Sequence, residues 1–263
     1  MKRVFALIVF LFLAIPGVQA AEFLPFDGPR PLAVLIETNP WLMVIDSDTP
    51  SFVLYENGQV IFRKRSETKN EQYLWKQLSP EELQSLKAKL AAFGPFRKDL
   101  QHIALTEATD QSETRLYLKF DDTALVTSIY GMGSVDASPE ENRRIKPLPA
   151  DLRKLYAFLT SIEFKGATEW TPKYVEAIVW DYGYAIDASV SWPKTLPGLN
   201  SPTTIKRKRG YSIFLPAADL NSVSALLATR KTKGAIEIDG KKMMVTLRPT
   251  FPSEPVWRKA FSD

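Results

Sequence analysis

The acidic side chains are the residues of this chain that could carry out general acid–base chemistry. Three sets are available: the adjacent pair Asp121 and Asp122, the pair Asp181 and Asp187, and Glu163. A glycoside hydrolase needs only two carboxylates at a defined separation, and spacing along a sequence does not set that separation. The acidic residues therefore leave open a carboxylate-dependent hydrolase acting on cell-wall polysaccharide. Turn or surface positions would explain the same residues without catalysis.

Other catalytic chemistry has little support in the residue inventory. His102 is the only histidine and the chain has no cysteine, which excludes Cys–His nucleophiles, the common zinc sites and HExxH proteases. A Ser-His-Asp triad would have to use His102, which lies in a polar stretch, and no serine-elbow motif accompanies it. The inventory favours a non-catalytic protein. We assign no catalytic residue and expect neither a metal nor a cofactor.

One short motif resembles a known family. Residues 42–49 read Leu-Met-Val-Ile-Asp-Ser-Asp-Thr, which is similar to the first motif of the haloacid dehalogenase phosphatases, an apolar strand that ends in Asp-x-Asp. The resemblance covers these eight residues alone. Pro50 stands where that family has threonine or valine, and a hairpin pattern follows where the family has a helix. We therefore interpret Asp46 and Asp48 as turn residues that cap exposed amides.

A basic run is the first of two features that could bind a ligand. Lys206-Arg207-Lys208-Arg209 is the densest group of cations in the chain and lies beside a predicted strand. In an exported protein such a run could contact phosphorylated lipid or polysaccharide. The alternative is that these side chains protect an open sheet edge from aggregation. The small net charge of the chain gives no reason to expect a nucleic-acid partner.

Aromatic residues are the second such feature. Trp180, Tyr182 and Tyr184 stand at alternate positions, with Trp192 nearby. Aromatic faces stack on sugars or anchor a protein partner, although such side chains are more often part of a core. Together with the basic run, these residues are our candidate binding residues.

The first twenty residues predict export. Lys2 and Arg3 precede an apolar run from Val4 to Ile15, which is shorter than the ~20 residues of a membrane-spanning helix. The small residues Val18-Gln19-Ala20 predict cleavage after Ala20, so we expect a periplasmic or secreted chain without a transmembrane segment. Removal of Lys2 and Arg3 lowers the formal charge from +4 to +2. The absence of cysteine means that packing, and no disulfide, must hold the exported chain together.

The stretch from Tyr73 to Leu90 shows most clearly the kind of strand and helix that would position the candidate binding residues. A strand at Tyr73–Leu78 leads into the capping box Ser79-Pro80-Glu81-Glu82 and then into an amphipathic helix. Similar periodicity predicts a helix at Asp151–Phe164, a strand at Ile186–Trp192, and a strand–helix joint over Tyr211–Arg230. Asn-Gly and Asp-Gly pairs predict two hairpins, at residues 52–62 and 235–247. The proline-rich tail from Phe251 to Trp257 predicts irregular chain pinned onto the second unit.

Each half of the chain thus shows the order hairpin, strand, helix, hairpin. We predict an α+β protein of two similar units, each an antiparallel sheet with one or two helices on one face. The predicted boundaries are a signal peptide at 1–20, an N-terminal unit at 21–133, a linker at 134–150 and a C-terminal unit at 151–263. The sequence favours a non-catalytic envelope protein that binds a protein or an anionic or sugar-bearing component. A periplasmic inhibitor or immunity-type protein fits the same pattern.

Overall fold

A computed structural model describes residues 23–42, 47–64, 72–97, 101–132 and 146–262. The predicted signal peptide, Asp46 and residues 134–145 of the predicted linker lie outside these ranges. Within them the chain forms one sheet of eight strands and one of six, together with four α-helices. This arrangement confirms the α+β class.

The first sheet has the spatial strand order β5-β7-β6-β1-β2-β3-β4-β8. Its pairs are antiparallel apart from the parallel pair of β5 and β7. The predicted Asn-Gly hairpin joins β2 to β3, with Phe52 opposite Phe62. The strands are β1 (Pro31–Glu37), β2 (Pro50–Tyr55), β3 (Gln59–Lys64), β4 (Gln72–Gln77), β5 (His102–Ala104), β6 (Glu113–Phe120), β7 (Thr123–Tyr130) and β8 (Thr168–Glu169).

Two helices cover one face of this sheet. Helix α1 (Pro80–Ala91) begins with the predicted capping box, in which the Ser79 hydroxyl accepts from the Glu82 amide and the Glu82 carboxylate accepts from the Ser79 amide. Helix α2 (Ala150–Ser161) buries Leu152 in the same core. The predicted boundary assigned α2 to the C-terminal unit, whereas its apolar stripe packs on the first sheet. The domain boundaries themselves stay a prediction.

The C-terminal tail covers the opposite face of the first sheet. Residues Glu254–Ala260 form helix α4, and Phe251 and Trp257 are each 1% exposed among Val34, Tyr55 and neighbouring side chains. The prediction of an irregular tail pinned onto the second unit was wrong on both points. Pro255 lies in the first turn of the helix, where its missing N–H has no intrahelical partner to lose.

The second sheet has the order β10-β13-β14-β9-β12-β11. Helix α3 (Leu220–Ala228) follows a short 3-10 turn and packs through Val223 on one face of the sheet. In this sheet β14, the second strand of the last hairpin, pairs with β9. In the first sheet β6, the first strand of the corresponding hairpin, pairs with β1, so the two sheets incorporate this hairpin differently. The strands are β9 (Tyr174–Asp181), β10 (Val190–Ser191), β11 (Ile205–Arg207), β12 (Gly210–Pro216), β13 (Ile236–Ile238) and β14 (Lys241–Pro249).

One predicted strand is much shorter than its pattern suggested. The alternation from Ile186 to Trp192 predicted a half-buried strand, but only Val190 and Ser191 form one. Ile186 is 77% exposed, and Asp187 bonds through its amide to the carbonyl of Lys233 in a loop. Residues 186–189 alternate in polarity but form no strand, so the prediction was wrong for most of its length.

Residues near the two ends of the described chain contact each other and connect the two sheets. Near the N-terminal end, Phe26 contacts Phe214 of the second sheet with ring centroids 5.5 Å apart. Its carbonyl accepts a hydrogen bond from the amide of Ser253, which precedes α4. The C-terminal helix on the first sheet is thereby attached to chain that packs on the second.

Candidate functional site

The predicted binding residues lie on neighbouring strands at one end of the second sheet. Strand β9 ends just after Trp180, and the hairpin of β11 and β12 carries the basic run along the sheet edge. Strand β12 pairs with β9, with Tyr211 opposite Val179. Two segments that are far apart in the sequence therefore become neighbours through backbone pairing.

Gly210 determines how closely the basic turn approaches Trp180. A Cβ atom added at Gly210 would lie 2.1 Å from the carbonyl oxygen of Val179 and 3.1 Å from Cδ1 of Trp180. Its φ of +145° is also one that side-chain-bearing residues rarely adopt. Only glycine fits this position without displacing β9, so the close contact of the turn with the Trp180 ring depends on it.

The aromatic residues divide into an anchored part and an exposed part. Trp180 and Tyr182 are half-buried and pack against the buried side chains of Ile178 and Met244. Tyr184 is 81% exposed, and its ring meets that of Tyr182 edge-to-face with centroids 4.8 Å apart. The group therefore contains both half-buried and exposed side chains.

The basic run also divides. Lys206, Lys208 and Arg209 are exposed, whereas Arg207 turns toward the sheet and places its Nη2 2.5 Å from Oε1 of Glu176. Successive side chains of a strand point to opposite faces, which separates Arg207 from Lys206. Arg207 shares its face with Glu176 and Trp180, so Lys206 points to the opposite face of the sheet. We call the five other residues the aromatic–basic surface: Trp180, Tyr182, Tyr184, Lys208 and Arg209.

Arg207 is the first member of a chain of five alternating charges. Glu176 is bound by Arg207 and Arg248, and Arg248 also places its Nη1 2.6 Å from Oε1 of Glu254. Arg258 completes the chain through its Nε on Glu254. The side chains of Glu176, Arg248 and Glu254 are at most 2% exposed. This buried ion chain joins the second sheet to helix α4 on the first sheet.

The electrostatics of the ion chain keep Glu176 charged. Burial alone would raise the pKa of Glu176, but the charges of Arg248 and Arg207, with hydrogen bonds from Ser212 and Arg207, leave that pKa below its ordinary value. Burial likewise would lower the pKa of Arg248, and the carboxylates of Glu254 and Glu176 raise it instead. Glu176 is therefore an anion at neutral pH and no proton donor.

Sequence reasoning did not single out Glu176 or Arg248. The available signal was a charged residue at an inward position of an otherwise apolar strand, since Glu176 stands between Val175 and Ala177. A buried charge needs a partner, so this position required an arginine or lysine on an adjacent strand. The sequence does not tell which one, because Arg248 lies opposite Glu176 only through the register of β14 with β9.

The carboxylates proposed for acid–base chemistry occupy turns and surfaces. Asp121 follows β6 with a positive φ and pairs with Lys87 at 2.8 Å. The side chain of Asp181 accepts from the Gly183 amide, and that of Asp187 accepts from the Lys233 amide. Their partners are those of turn-stabilising residues.

The remaining sequence candidates are also placed at the surface. Asp122 and Glu163 are both exposed, and His102 is exposed on β5 with its Nδ1 2.8 Å from the Ser128 hydroxyl. The Oδ1 of Asp48 accepts from the Asn39 amide, as the capping interpretation expected. Asp46 lies outside the described residues.

Among the clefts of the described chain, two are lined by several charged side chains. One, of about 770 Å³, lies beside Trp192 and the loop that follows β10. Its acidic residues Glu237 and Asp239 are both exposed, and Asp239 is bonded to the Leu199 amide at 2.8 Å. The other, of about 460 Å³, lies where β1 ends and contains Arg115 and Arg258.

Two kinds of feature were not found in the described ranges: a metal-ligating cluster and a helix suited to span a membrane. Within them, no three or more His, Cys, Asp or Glu side chains are grouped so that they could hold a metal ion. No helix of the described chain has the length and apolar character needed to cross a bilayer.

Comparison with known proteins yields no relative. No family model matches the chain, and neither the curated proteins nor the solved structures contain a significant match. Any functional interpretation therefore depends on the geometry of the chain itself.

Proposed function

We propose that this protein is exported and acts as a non-catalytic binding protein of the bacterial envelope, with the aromatic–basic surface holding an anionic, sugar-bearing component. The observation that carries the proposal is the close approach of the basic turn to Trp180: the turn holds exposed Lys208 and Arg209, and a Cβ at the next residue, Gly210, would lie 3.1 Å from Cδ1 of Trp180. Cations attract phosphate or carboxylate groups, and aromatic faces stack on sugar rings. A phosphorylated glycan offers both chemistries in one molecule.

The exposure of the surface supports this proposal over a purely structural role. Tyr184 is 81% exposed beyond the end of β9, and Ile205, next to Lys206 on the edge strand, is 45% exposed, so apolar area remains uncovered at both places. Protection of the sheet edge would explain the cations of β11. It would not explain an exposed tyrosine ring beyond the end of β9.

The hydrolase alternative receives no support from the buried acids. Glu176 and Glu254 are the buried carboxylates among the described residues, and both are bound by Arg248. The lowered pKa of Glu176 is opposite to what a general acid at neutral pH requires. The acids at the larger cleft, Glu237 and Asp239, are exposed to water.

The proposal can be tested with purified chain 21–263 and lipopolysaccharide as the probe, with its enzymatically dephosphorylated form and neutral dextran as comparisons. We expect saturable binding to lipopolysaccharide that weakens with added salt. The double variant Lys208→Gln/Arg209→Gln should bind about thirty-fold more weakly, because each cation near an anionic surface contributes about 1 kcal/mol.

The matched control removes two cations from a loop next to the second sheet. Lys231 and Lys233 are exposed in the loop after α3, so Lys231→Gln/Lys233→Gln changes the net charge equally. If both double variants weaken binding to the same extent, the net charge of the protein is responsible for binding, and the aromatic–basic surface is not a specific site. Tyr184→Ala should weaken binding without changing stability, since the ring is largely exposed. Capture of an envelope protein by this surface instead of the glycan would favour the inhibitor-type role.

Export is tested separately. The expected result is a periplasmic or secreted chain whose first residue is Ala21, detected by fractionation and intact mass. Recovery of a cytoplasmic chain that retains residues 1–20 would contradict the proposed compartment.

A further inference from the structure

The smaller cleft has the properties of a second ligand site, separate from the aromatic–basic surface. It lies where β1 ends, between the start of β6 and the C-terminal end of α4, and its volume is about 460 Å³. Pockets that hold small organic ligands have volumes in the range of about 300–1,000 Å³. We call it the arginine cleft after Arg115 and Arg258, which both line it.

The guanidinium group of Arg115 is available to a ligand. Its Nε donates to Oε2 of Glu113 at 2.7 Å, and its Cζ lies 5.9 Å from the ring centroid of Phe261. The two Nη atoms of Arg115 have no hydrogen-bond partner among the described residues, and 36% of the side chain is exposed. Glu113 and Phe261 thus orient the group and leave its outer nitrogen atoms accessible.

Arg258 contributes the second positive charge from the opposite wall. Its Nε donates to the buried carboxylate of Glu254, and one Nη lies 3.4 Å from the carbonyl oxygen of Asp48. These contacts fix its position at the end of the buried ion chain. The two arginines therefore come from different parts of the sequence and are each held by a separate carboxylate.

The rest of the lining selects the charge and the shape of a ligand. Asp48 is the acidic residue of the lining, and it is bonded to the Asn39 amide. Glu113 and Glu254 already balance the charges of the two arginines, so the unpaired Nη donors of Arg115, and no net positive charge, would hold an anion, which favours a monoanion over a dianion. Ile36, Leu42 and Phe261 provide apolar area beside the cations.

We propose that the arginine cleft binds a small carboxylate with a short apolar group. A carboxylate matches the two parallel N–H donors of a guanidinium fork, and the apolar part would lie against Phe261. Inorganic phosphate shares the negative charge and has no apolar part. Asp48 disfavours its dianion, so phosphate should bind more weakly.

The test uses isotope-labelled chain 21–263 and follows its amide resonances during titration with hexanoate, hexanamide and inorganic phosphate. Hexanoate should give saturable shifts confined to residues 36–39, 113–116 and 257–262. Hexanamide has the same apolar chain without the charge and should bind at least about ten-fold more weakly. Equal binding of hexanoate and hexanamide, or tighter binding of phosphate than of hexanoate, would refute the assignment, as would the absence of saturable shifts.

Three variants separate this site from general electrostatics. Arg115→Gln should weaken hexanoate binding about ten-fold or more, and Arg115→Lys should fall between it and the parent because lysine keeps the charge without the fork. Lys119→Gln removes an exposed cation from the same strand and should bind as the parent does. Unchanged affinity of Arg115→Gln, with an unchanged urea midpoint, would overturn the proposal.

The two sites can fail independently. Lys208→Gln/Arg209→Gln, which should weaken glycan binding about thirty-fold, lies outside the arginine cleft and should leave the hexanoate titration unchanged. Loss of hexanoate binding in that variant would contradict the separation of the two sites.

Discussion

Removal of Arg248 should destabilise the protein more than removal of any exposed cation. Arg248→Met keeps the approximate length of the side chain and deletes the positive charge that both Glu176 and Glu254 contact. Each acid would then retain one partly exposed partner, Arg207 at 35% and Arg258 at 31%. Both would be buried carboxylates with incomplete compensation.

The magnitude follows from the burial of these groups. Breaking a buried ion pair by removing one partner costs about 3–5 kcal/mol in the free energy of unfolding. For a chain of this length, that loss should lower the melting temperature by about 10 °C. Exposed Arg209→Met, on the same sheet, removes an equal charge and should cost less than about 0.5 kcal/mol.

The assay is urea unfolding at pH 7, followed by tryptophan fluorescence, on the parent, both single variants and Arg248→Met/Glu176→Gln. The double variant should recover part of the loss, because it neutralises one of the two uncompensated charges. A loss below about 1 kcal/mol for Arg248→Met, or a double variant that is less stable than additive changes predict, would refute the role assigned to the buried ion chain.

Three further predictions concern pH and packing. The folded-state pKa of Glu176 lies below its ordinary value of 4.5. The contribution of Glu176 to stability should therefore be complete above that pH and decline as the pH falls through the lowered pKa. In urea unfolding between pH 3 and 6, Glu176→Gln should flatten this acid-side decline, and an unchanged slope would contradict the assignment. Leu152→Ala should cost about 2–5 kcal/mol, because this fully buried side chain attaches α2 to the first sheet, whereas exposed Lys154→Ala should be nearly neutral in the same assay. Gly210→Ala should lower the melting temperature and shift Trp180 fluorescence, because the new Cβ would clash with the Val179 carbonyl; parent-like stability and spectrum would show that β9 and β12 are less closely held.

Local patterns in the sequence were sufficient for most of the secondary structure. The capping box at Ser79 and the Asn-Gly and Asp-Gly turns each depend on residues within a few positions of one another, so their chemistry is visible in the sequence. The same holds for the apolar spacing that buries Leu152, Leu155 and Leu159. The strand predicted at Ile186–Trp192 failed because alternation describes a strand only where a partner strand supplies hydrogen bonds.

The tertiary structure decided where the elements pack and which charges meet. Helix α2 and the C-terminal helix carry apolar stripes that suit either sheet, and only the folded chain assigns both to the first sheet. The sequence named the exposed cations and aromatic rings of the aromatic–basic surface but could not show that they adjoin. It showed Glu176 as an isolated charge, and the register of β14 with β9 gave that charge its partner. Short-range interactions are encoded by neighbouring residues, whereas pairing across strands depends on contacts among residues distant in the chain.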